Sequence, residues 1–135
     1  MMSRNNIHAY YHIVFSTKQR EPMITTQMQS SLYKMLWNKC IEIGCDPIMI
    51  NGMEDHVHIL MHANPLVSIS KTLKDIKGSS SRWMNDNYEF LESFTWQRGY
   101  GLFTVSPEEV PKIASYIQNQ KSHHANKSVI DDFEI

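Results

Sequence analysis

Residues 7–16 constrain the fold most strongly, because they carry large apolar or aromatic side chains on both faces of a predicted strand. Alternate side chains of a strand point to opposite faces. One face carries Ile7, Tyr11, Ile13 and Phe15, and the other carries Tyr10, His12 and Val14. A strand with two such faces has other structure packed on both, so these residues predict a central strand of a sheet.

The rest of the chain continues this strand in the order β-α-β-β-α-β, followed by one more helix. The predicted elements are a helix from Thr25 or Thr26 to Gly44, strands at residues 46–52 and 56–62, a helix at residues 67–85, strand segments at residues 94–96 and 102–105, and a last helix from Ser106 to about His124. This order is typical of the ferredoxin-like split β-α-β fold. We therefore predict an α+β protein, an antiparallel sheet with helices packed on it and an added C-terminal helix.

The start of the last helix has a strong sequence signature. Ser106 can cap the helix, Pro107 suits its first position, and Glu109 completes a capping box with Ser106. The sequence therefore predicts an α-helix that begins directly after Ser106.

Length and charge limit the class of protein. The 135 residues suffice for one domain, and no linker or repeat divides them. We expect one domain at residues 1–125 and a polar tail at residues 126–135. Thirteen Lys and Arg against fourteen Asp and Glu give a formal charge of −1, which offers no global attraction to nucleic acid. Any binding of DNA must therefore depend on a local concentration of charge.

The cysteine content and the absence of apolar runs indicate a compartment. Two cysteines, Cys40 and Cys45, are too few for a disulfide framework and are expected to be free thiols in a reducing environment. The sequence shows neither a secretory signal nor an apolar run of about 20 residues that could span a membrane. We expect a soluble, cytoplasmic protein.

A pair of histidines is the first candidate for chemistry. His56 and His58 lie on the same face of a predicted strand, so their imidazoles project side by side. Neutral imidazole is a ligand for several transition metals, and the pair would need a third ligand from elsewhere. The alternative is two polar residues on a half-solvated face. Asp55 can orient one ring as an acceptor, or it can belong only to the preceding turn.

Tyr116 and Gln120 on the last helix are the second candidate. They are four residues apart and so share one side of a helix, at the rim of its apolar stripe. From its position alone, Tyr116 is better explained as an amphipathic packing residue than as a nucleophile.

Four basic residues near the second predicted helix form the visible concentration of positive charge: Lys71, Lys74, Lys77 and Arg82. Such a run can be an ordinary solvated helix face. It can also contact the phosphates of a nucleic acid strand.

Four stretches together resemble the HUH single-tyrosine transposases, small enzymes of insertion sequences that move as single-stranded DNA, and their REP-associated relatives. The matching stretches are YYHIVFSTKQREPMI, MEDHVHILM, SSSRW and WQRGYGLFTVSPEEVPKIASYIQNQKSHH, in the family's order and across nearly the whole chain.

The resemblance implies a role for each candidate residue. Tyr116 would be the catalytic nucleophile, and His56, His58 and Gln120 would hold Mg²⁺ or Mn²⁺. The expected reaction cleaves single-stranded DNA and rejoins it through a 5′-phosphotyrosine. The resemblance also implies a homodimer that recognises DNA hairpins near the element ends, with Lys71, Lys74, Lys77 and Arg82 as candidate DNA contacts. Whether Tyr116 meets the histidines of its own chain or of a partner stays open.

Two other functions remain alternatives at this point. One is a non-catalytic ferredoxin-like module that binds nucleic acid. The other is a small zinc hydrolase built on the histidine pair, for which the sequence offers no third charged ligand and no general base beyond Glu54 or Asp55.

Overall fold

A four-stranded antiparallel sheet forms the centre of the protein, whose computed structural model describes residues 6–121. Its strands are β1 (Tyr10–Ser16), β2 (Asp46–Met53), β3 (His56–His62) and β4 (Gly101–Val105). They lie in the order β2-β3-β1-β4, which is the order of a ferredoxin-like sheet. β1 lies between β3 and β4, so the predicted central strand is confirmed, although it begins at Tyr10.

Helices cover both faces of this sheet. They are α1 (Thr26–Glu42), α2 (Ile69–Asn87) and α3 (Val110–Gln118). α1 and α2 pack on the face that carries Ile13, Phe15, Val57, Ile59 and Met61. α3 packs on the opposite face, where Leu60 and Val105 meet Ile113, Tyr116 and Ile117. The predicted α+β architecture is confirmed, and within residues 6–121 α3 is the α-helix that packs on this second face.

The segment at residues 94–96 is not a strand, which corrects the prediction. Its only ladder contact in the described chain is a single bridge between Thr17 and Trp96. The Asn85 side chain holds the backbone here, because its oxygen accepts from the Phe94 N–H at 2.7 Å and its amide donates to the Phe94 carbonyl at 3.0 Å. Beyond Phe94, the Lys18 N–H donates to the Thr95 carbonyl at 3.0 Å and the Gln97 N–H donates to the Ser16 carbonyl at 2.8 Å, so the segment pairs with the end of β1 over this one bridge.

The start of the last helix also differs from the prediction. Pro107–Glu109 form a short 3-10 helix, and α3 begins at Val110. Pro111 explains the delay, because it has no N–H to donate to the carbonyl of Pro107 in an α-helix. The capping box is not formed: the Ser106 hydroxyl donates instead to the Glu109 carboxylate at 3.1 Å.

Three further predictions concern the cysteines, membrane-spanning helices and the C-terminal segment. Cys40 and Cys45 are free, as expected, and both are buried. Within residues 6–121, no helix is long and apolar enough to cross a membrane. The predicted helix end near His124 and the predicted polar tail at residues 126–135 lie outside the described residues.

Gly52 in β2 allows the hairpin with β3 to close. A Cβ at this position would clash with the carbonyl oxygen of His56 and lie 2.9 Å from the Cα of Val57. We predict that Gly52→Ala lowers the free energy of unfolding by about 1–3 kcal/mol, measured by urea titration.

Gly78→Ala in α2 is the matched control, because a Cβ there meets no atom of the described chain within 4 Å. It should raise the free energy of unfolding by about 0.5–1 kcal/mol, since alanine favours the helix. Equal effects of the two substitutions would contradict the close approach at Gly52.

Candidate active site

The two motif histidines lie under α3, at the centre of the sheet. Strand alternation places His56 and His58 on the face with Leu60, opposite to Val57 and Ile59. Both histidines are fully buried, so the alternative of a half-solvated face is wrong. Their ring centroids are 5.1 Å apart with the planes nearly perpendicular.

A third histidine, His12 of β1, contacts His58 directly. Its Nε2 lies 2.8 Å from Nδ1 of His58, and the two rings stack with centroids 5.1 Å apart. His12 reaches this position because β1 and β3 pair with Val14 opposite His58 and His12 opposite Leu60. Sequence reasoning placed His12 on one face of its strand but did not select it, because the alternation of a strand does not give its register with a neighbour.

His56 has a different partner, the carboxylate of Asp55. Nδ1 of His56 lies 2.7 Å from Asp55 Oδ1, while Arg20 Nε donates to Asp55 Oδ2 at 3.1 Å. The hydrogen bond from His56 and then that from Arg20 lower the pKa of Asp55 to about 2, against the opposing effect of burial. Asp55 is therefore an anion that orients the ring, one of its two predicted roles, while Arg20 was not predicted.

The turn that delivers Arg20 has an unusual backbone. Gln19 and Arg20 both have φ of 56°, in the left-handed region that non-glycine residues seldom occupy. The turn is tied down by Thr17, whose hydroxyl donates to the carbonyl of Glu21 at 2.6 Å and whose N–H donates to that of Asp55 at 2.9 Å. Backbone strain of this kind persists where surrounding bonds over-determine it.

Tyr116 lies against the histidines in the same chain. Its ring centroid is 5.9 Å from that of His58 and 6.4 Å from that of His12. The side chain is only 5% exposed, so Tyr116 belongs to the buried face of α3 and not to its rim, which corrects the prediction. Ile113 and Ile117 flank it in the apolar cluster above Leu60.

Gln120 follows α3 and is not part of one continuous helix with Tyr116. α3 ends at Gln118, and Asn119 leaves the helical conformation. Gln120 is nevertheless fully buried. The chain here is bound to β2, because the Asn51 amide donates to the carbonyls of Ile117 and Gln118 at 3.0 and 3.1 Å, and the Lys121 ammonium donates to that of Gly52 at 3.0 Å.

These contacts fix the end of α3 beside the histidine pair. Asn51 stands opposite His58 in the β2–β3 register, and Met53 stands opposite His56. The fold therefore brings Gln120 to the strand next to both histidines.

The side chains of this site can hold a divalent cation only if the Gln120 amide is one of the ligands. Among residues 6–121, no three His, Cys, Asp or Glu side chains form a group that could hold a metal ion. His56 and His58 supply two imidazoles whose Nδ1 atoms bond to Asp55 and His12, so a ligand role falls to Nε2 in each ring. An amide oxygen is an acceptable ligand for Mg²⁺ or Mn²⁺, and Gln120 offers one nearby.

The predicted basic residues lie on the other side of the sheet. α2 packs with α1 on the face opposite to the histidines, so none of its cations is beside Tyr116. Lys71 and Lys74 are exposed, with Lys71 3.8 Å from Asp75. The Lys77 ammonium is half-buried and donates to the carbonyls of Gln97 at 2.7 Å and Gly99 at 2.8 Å. Burial lowers the pKa of Lys77.

Known proteins are similar to this chain in sequence. The chain is 30% identical over 115 residues to the ISDra2 transposase TnpA of Deinococcus radiodurans, covering 82% of each protein. It is 27% identical to the transposase of insertion sequence IS200 from Salmonella typhimurium, covering 82% of this chain and 75% of that one.

Two solved structures of transposases have a fold similar to that of this chain. A Deinococcus radiodurans R1 protein assigned as a transposase superposes with a TM-score of 0.71 at 27% identity, over 89% of this chain and 97% of that one. A REP-associated tyrosine transposase, solved with a REP hairpin, has the same fold at a TM-score of 0.65 and 14% identity, over 92% of this chain and 74% of that one.

The fold and these matches define a transposase, a DNA-cleaving enzyme. Within that class the chain belongs to the IS200-like transposase family, whose model matches residues 5–120. The resemblance found in the sequence is confirmed.

We predict that Asn51→Ala loosens the end of α3. Loss of two hydrogen bonds to helix carbonyls should lower the free energy of unfolding by about 1 kcal/mol and reduce hydrogen-exchange protection of the Tyr116 and Ile117 amides more than that of α2.

The control is Asn87→Ala, which removes an asparagine amide that donates to the Trp83 carbonyl of α2 at 2.8 Å. It should leave exchange in α3 unchanged. Unaltered α3 protection in Asn51→Ala would show that Asn51 does not hold the helix.

Proposed function

We propose that the protein cleaves and rejoins single-stranded DNA at the ends of an insertion element, with Tyr116 as the nucleophile. The observation that carries this proposal is the burial of Tyr116 beside His58 and His12, with ring centroids 5.9 and 6.4 Å away, in one chain of a transposase fold. A tyrosine needed only for packing has no requirement for neighbouring imidazoles.

The reaction balances without a nucleotide cofactor. The phenolic oxygen of Tyr116 forms a bond to the scissile phosphorus and loses its proton, while the bond from phosphorus to the 3′-oxygen breaks and that oxygen gains a proton. The products are a 5′-phosphotyrosine and a free 3′-hydroxyl. Rejoining reverses these changes with another 3′-hydroxyl, so the energy of the phosphodiester is retained in the covalent link.

His56, His58 and Gln120 would hold Mg²⁺ or Mn²⁺ in this proposal. When bound, such a cation withdraws electron density from the phosphate oxygens and neutralises charge that develops as the nucleophile approaches. All three ligands are neutral, so the ligands themselves add no negative charge where an anionic phosphate must bind. Asp55 orients the ring of His56, while its charge is shared with Arg20.

The apolar surroundings of Tyr116 support its orientation. Ile113, Ile117, Leu60 and Val105 surround the helix face that carries it. These contacts exclude water from one side of the phenol and limit its rotamers, so the hydroxyl is held for attack in one direction.

DNA hairpins and a second copy of the chain are the proposed partners. The neighbouring REP-associated transposase was solved with a hairpin, which supports this class of DNA. Lys71, Lys74 and Arg82 are exposed on α2, far from any phosphate held at Tyr116, so we assign them to the folded part of the DNA. Lys77 is not assigned to a DNA contact, because its ammonium already binds two backbone carbonyls.

For the proposed homodimer, the described sheet offers two edge strands, β2 and β4.

Tyr116→Phe should abolish a covalent protein–DNA adduct. The assay incubates the protein in Mn²⁺ or Mg²⁺ with labelled single-stranded oligonucleotides from the DNA flanking the gene and resolves adducts on a denaturing gel. His56→Ala should reduce the adduct at least tenfold, because a ligand is lost.

Tyr33→Phe is the matched control, since the Tyr33 hydroxyl on α1 is buried with no hydrogen-bond partner within residues 6–121. It should form the adduct normally. If the affinity for DNA is the same with and without a chelator and no adduct forms under any condition, the protein is the non-catalytic binding module instead.

Lys71→Ala/Lys74→Ala should weaken binding to hairpin-forming oligonucleotides and flatten its salt dependence. The slope of log affinity against log salt should fall by about 0.9 for each duplex phosphate that a lysine no longer neutralises, measured by fluorescence anisotropy.

Lys34→Ala/Lys39→Ala on α1 removes one exposed lysine and one paired with Glu42, which matches the lysines of α2. It should leave the slope unchanged. An equal decrease of affinity in both double variants would contradict binding of the hairpin specifically by α2.

A further inference from the structure

We infer that His12 is a positioning residue that fixes the proton of His58 on Nδ1, so that Nε2 of His58 has the lone pair that a metal ligand needs. The inference deepens the proposed function and rests on it for the metal. The placement of the proton is a property of the chain itself and can be measured without a metal.

The contact between the two rings permits two arrangements. Nε2 of His12 and Nδ1 of His58 are 2.8 Å apart, the distance of one hydrogen bond. In a neutral imidazole, one nitrogen carries the proton and the other accepts. Either His12 donates to His58, or His58 donates to His12.

Only one arrangement is compatible with a ligand role for His58. If His12 donated, Nδ1 of His58 would accept and its proton would lie on Nε2, where it blocks a metal ion. If His58 donates from Nδ1, its Nε2 is deprotonated and able to bind. His12 must then accept at Nε2 and carry its own proton on Nδ1.

His56 reaches the same state by a different route. Its Nδ1 faces Asp55 Oδ1 at 2.7 Å, and an ionised carboxylate can only accept, so the proton of His56 also lies on Nδ1. Both motif histidines thus present Nε2. In metal sites, a partner that fixes the second ring nitrogen sets both the tautomer and the ring orientation.

Burial explains why the two partners differ. Asp55 is 27% exposed and its charge is paired with Arg20. His12 and His58 are completely buried between the sheet and α3. A carboxylate at position 12 would be a buried charge, and removing it from water without a close cation is strongly unfavourable. A neutral imidazole accepts the same proton without that penalty.

Tautomers are measured directly by long-range ¹H–¹⁵N correlation NMR on the metal-free, ¹⁵N-labelled protein at pH 8. We expect the proton on Nδ1 in His12, His56 and His58. A spectrum with the proton of His58 on Nε2 would overturn the inference, and it would do so whatever the protein's activity.

Metal affinity gives the second measurement, by titration with Mn²⁺ followed by electron paramagnetic resonance. His12→Phe keeps a ring for packing but removes the acceptor, and should weaken Mn²⁺ binding about 10- to 100-fold. His12→Gln keeps an amide oxygen that can accept and should recover part of the affinity. His62→Phe, a histidine of β3 whose ring contacts the Ile7 carbonyl at 3.1 Å, should bind as the wild type does.

The outcomes separate the inference from the proposed function. If the wild type binds no Mn²⁺, the proposed metal ligands are wrong, and the NMR result alone decides the proton position. If the wild type binds Mn²⁺ and His12→Phe binds it equally well, His12 is only a packing residue and the inference fails while the proposed function stands.

Discussion

The antiparallel register between β1 and β3 is the constraint on which the candidate site depends. It places His12 beside His58 and Ser16 opposite His56, all on the sheet face that α3 covers. A shift by one residue would send the β3 histidines into the apolar core beneath α1 and α2. The alternating pattern of β3 prevents this, because Val57, Ile59 and Met61 fill that core. The register that buries the hydrophobic face of β3 therefore also places the histidines on the opposite face.

Burial also explains why the site is a network of paired groups. Polar side chains inside a protein require hydrogen-bond partners, and a partly satisfied network is costly. His56 uses an anion whose charge Arg20 shares, while His58 uses the imidazole of His12. α3 completes the enclosure, and Asn51 and Lys121 tie its end to the strand beside the histidines. The protein thus builds a polar centre within a domain small enough to have few buried layers.

Much of the fold and part of the candidate site could be predicted from the sequence. Strand alternation alone places His56 and His58 together, and the order of elements specifies a ferredoxin-like sheet. His12 could not be selected, because its partner lies 46 residues away and only the register joins them. The burial of Tyr116 was not predicted, because the apolar positions of α3 do not show how closely this helix packs on β2 and β3. Residues 94–96 were misassigned because they pair with the end of β1 over a single bridge, and the Asn85 side chain that holds the Phe94 backbone leaves no periodic signal.

The central claim is that Tyr116 is the residue joined to DNA. Its most direct test is mass spectrometry of the covalent adduct after nuclease trimming and digestion with trypsin. Cleavage after Lys112 and Lys121 releases residues 113–121, in which Tyr116 is the only tyrosine. We predict a nucleotide 5′-phosphate on Tyr116 in that peptide. A nucleotide attached to any other residue, with residues 113–121 unmodified, would contradict it.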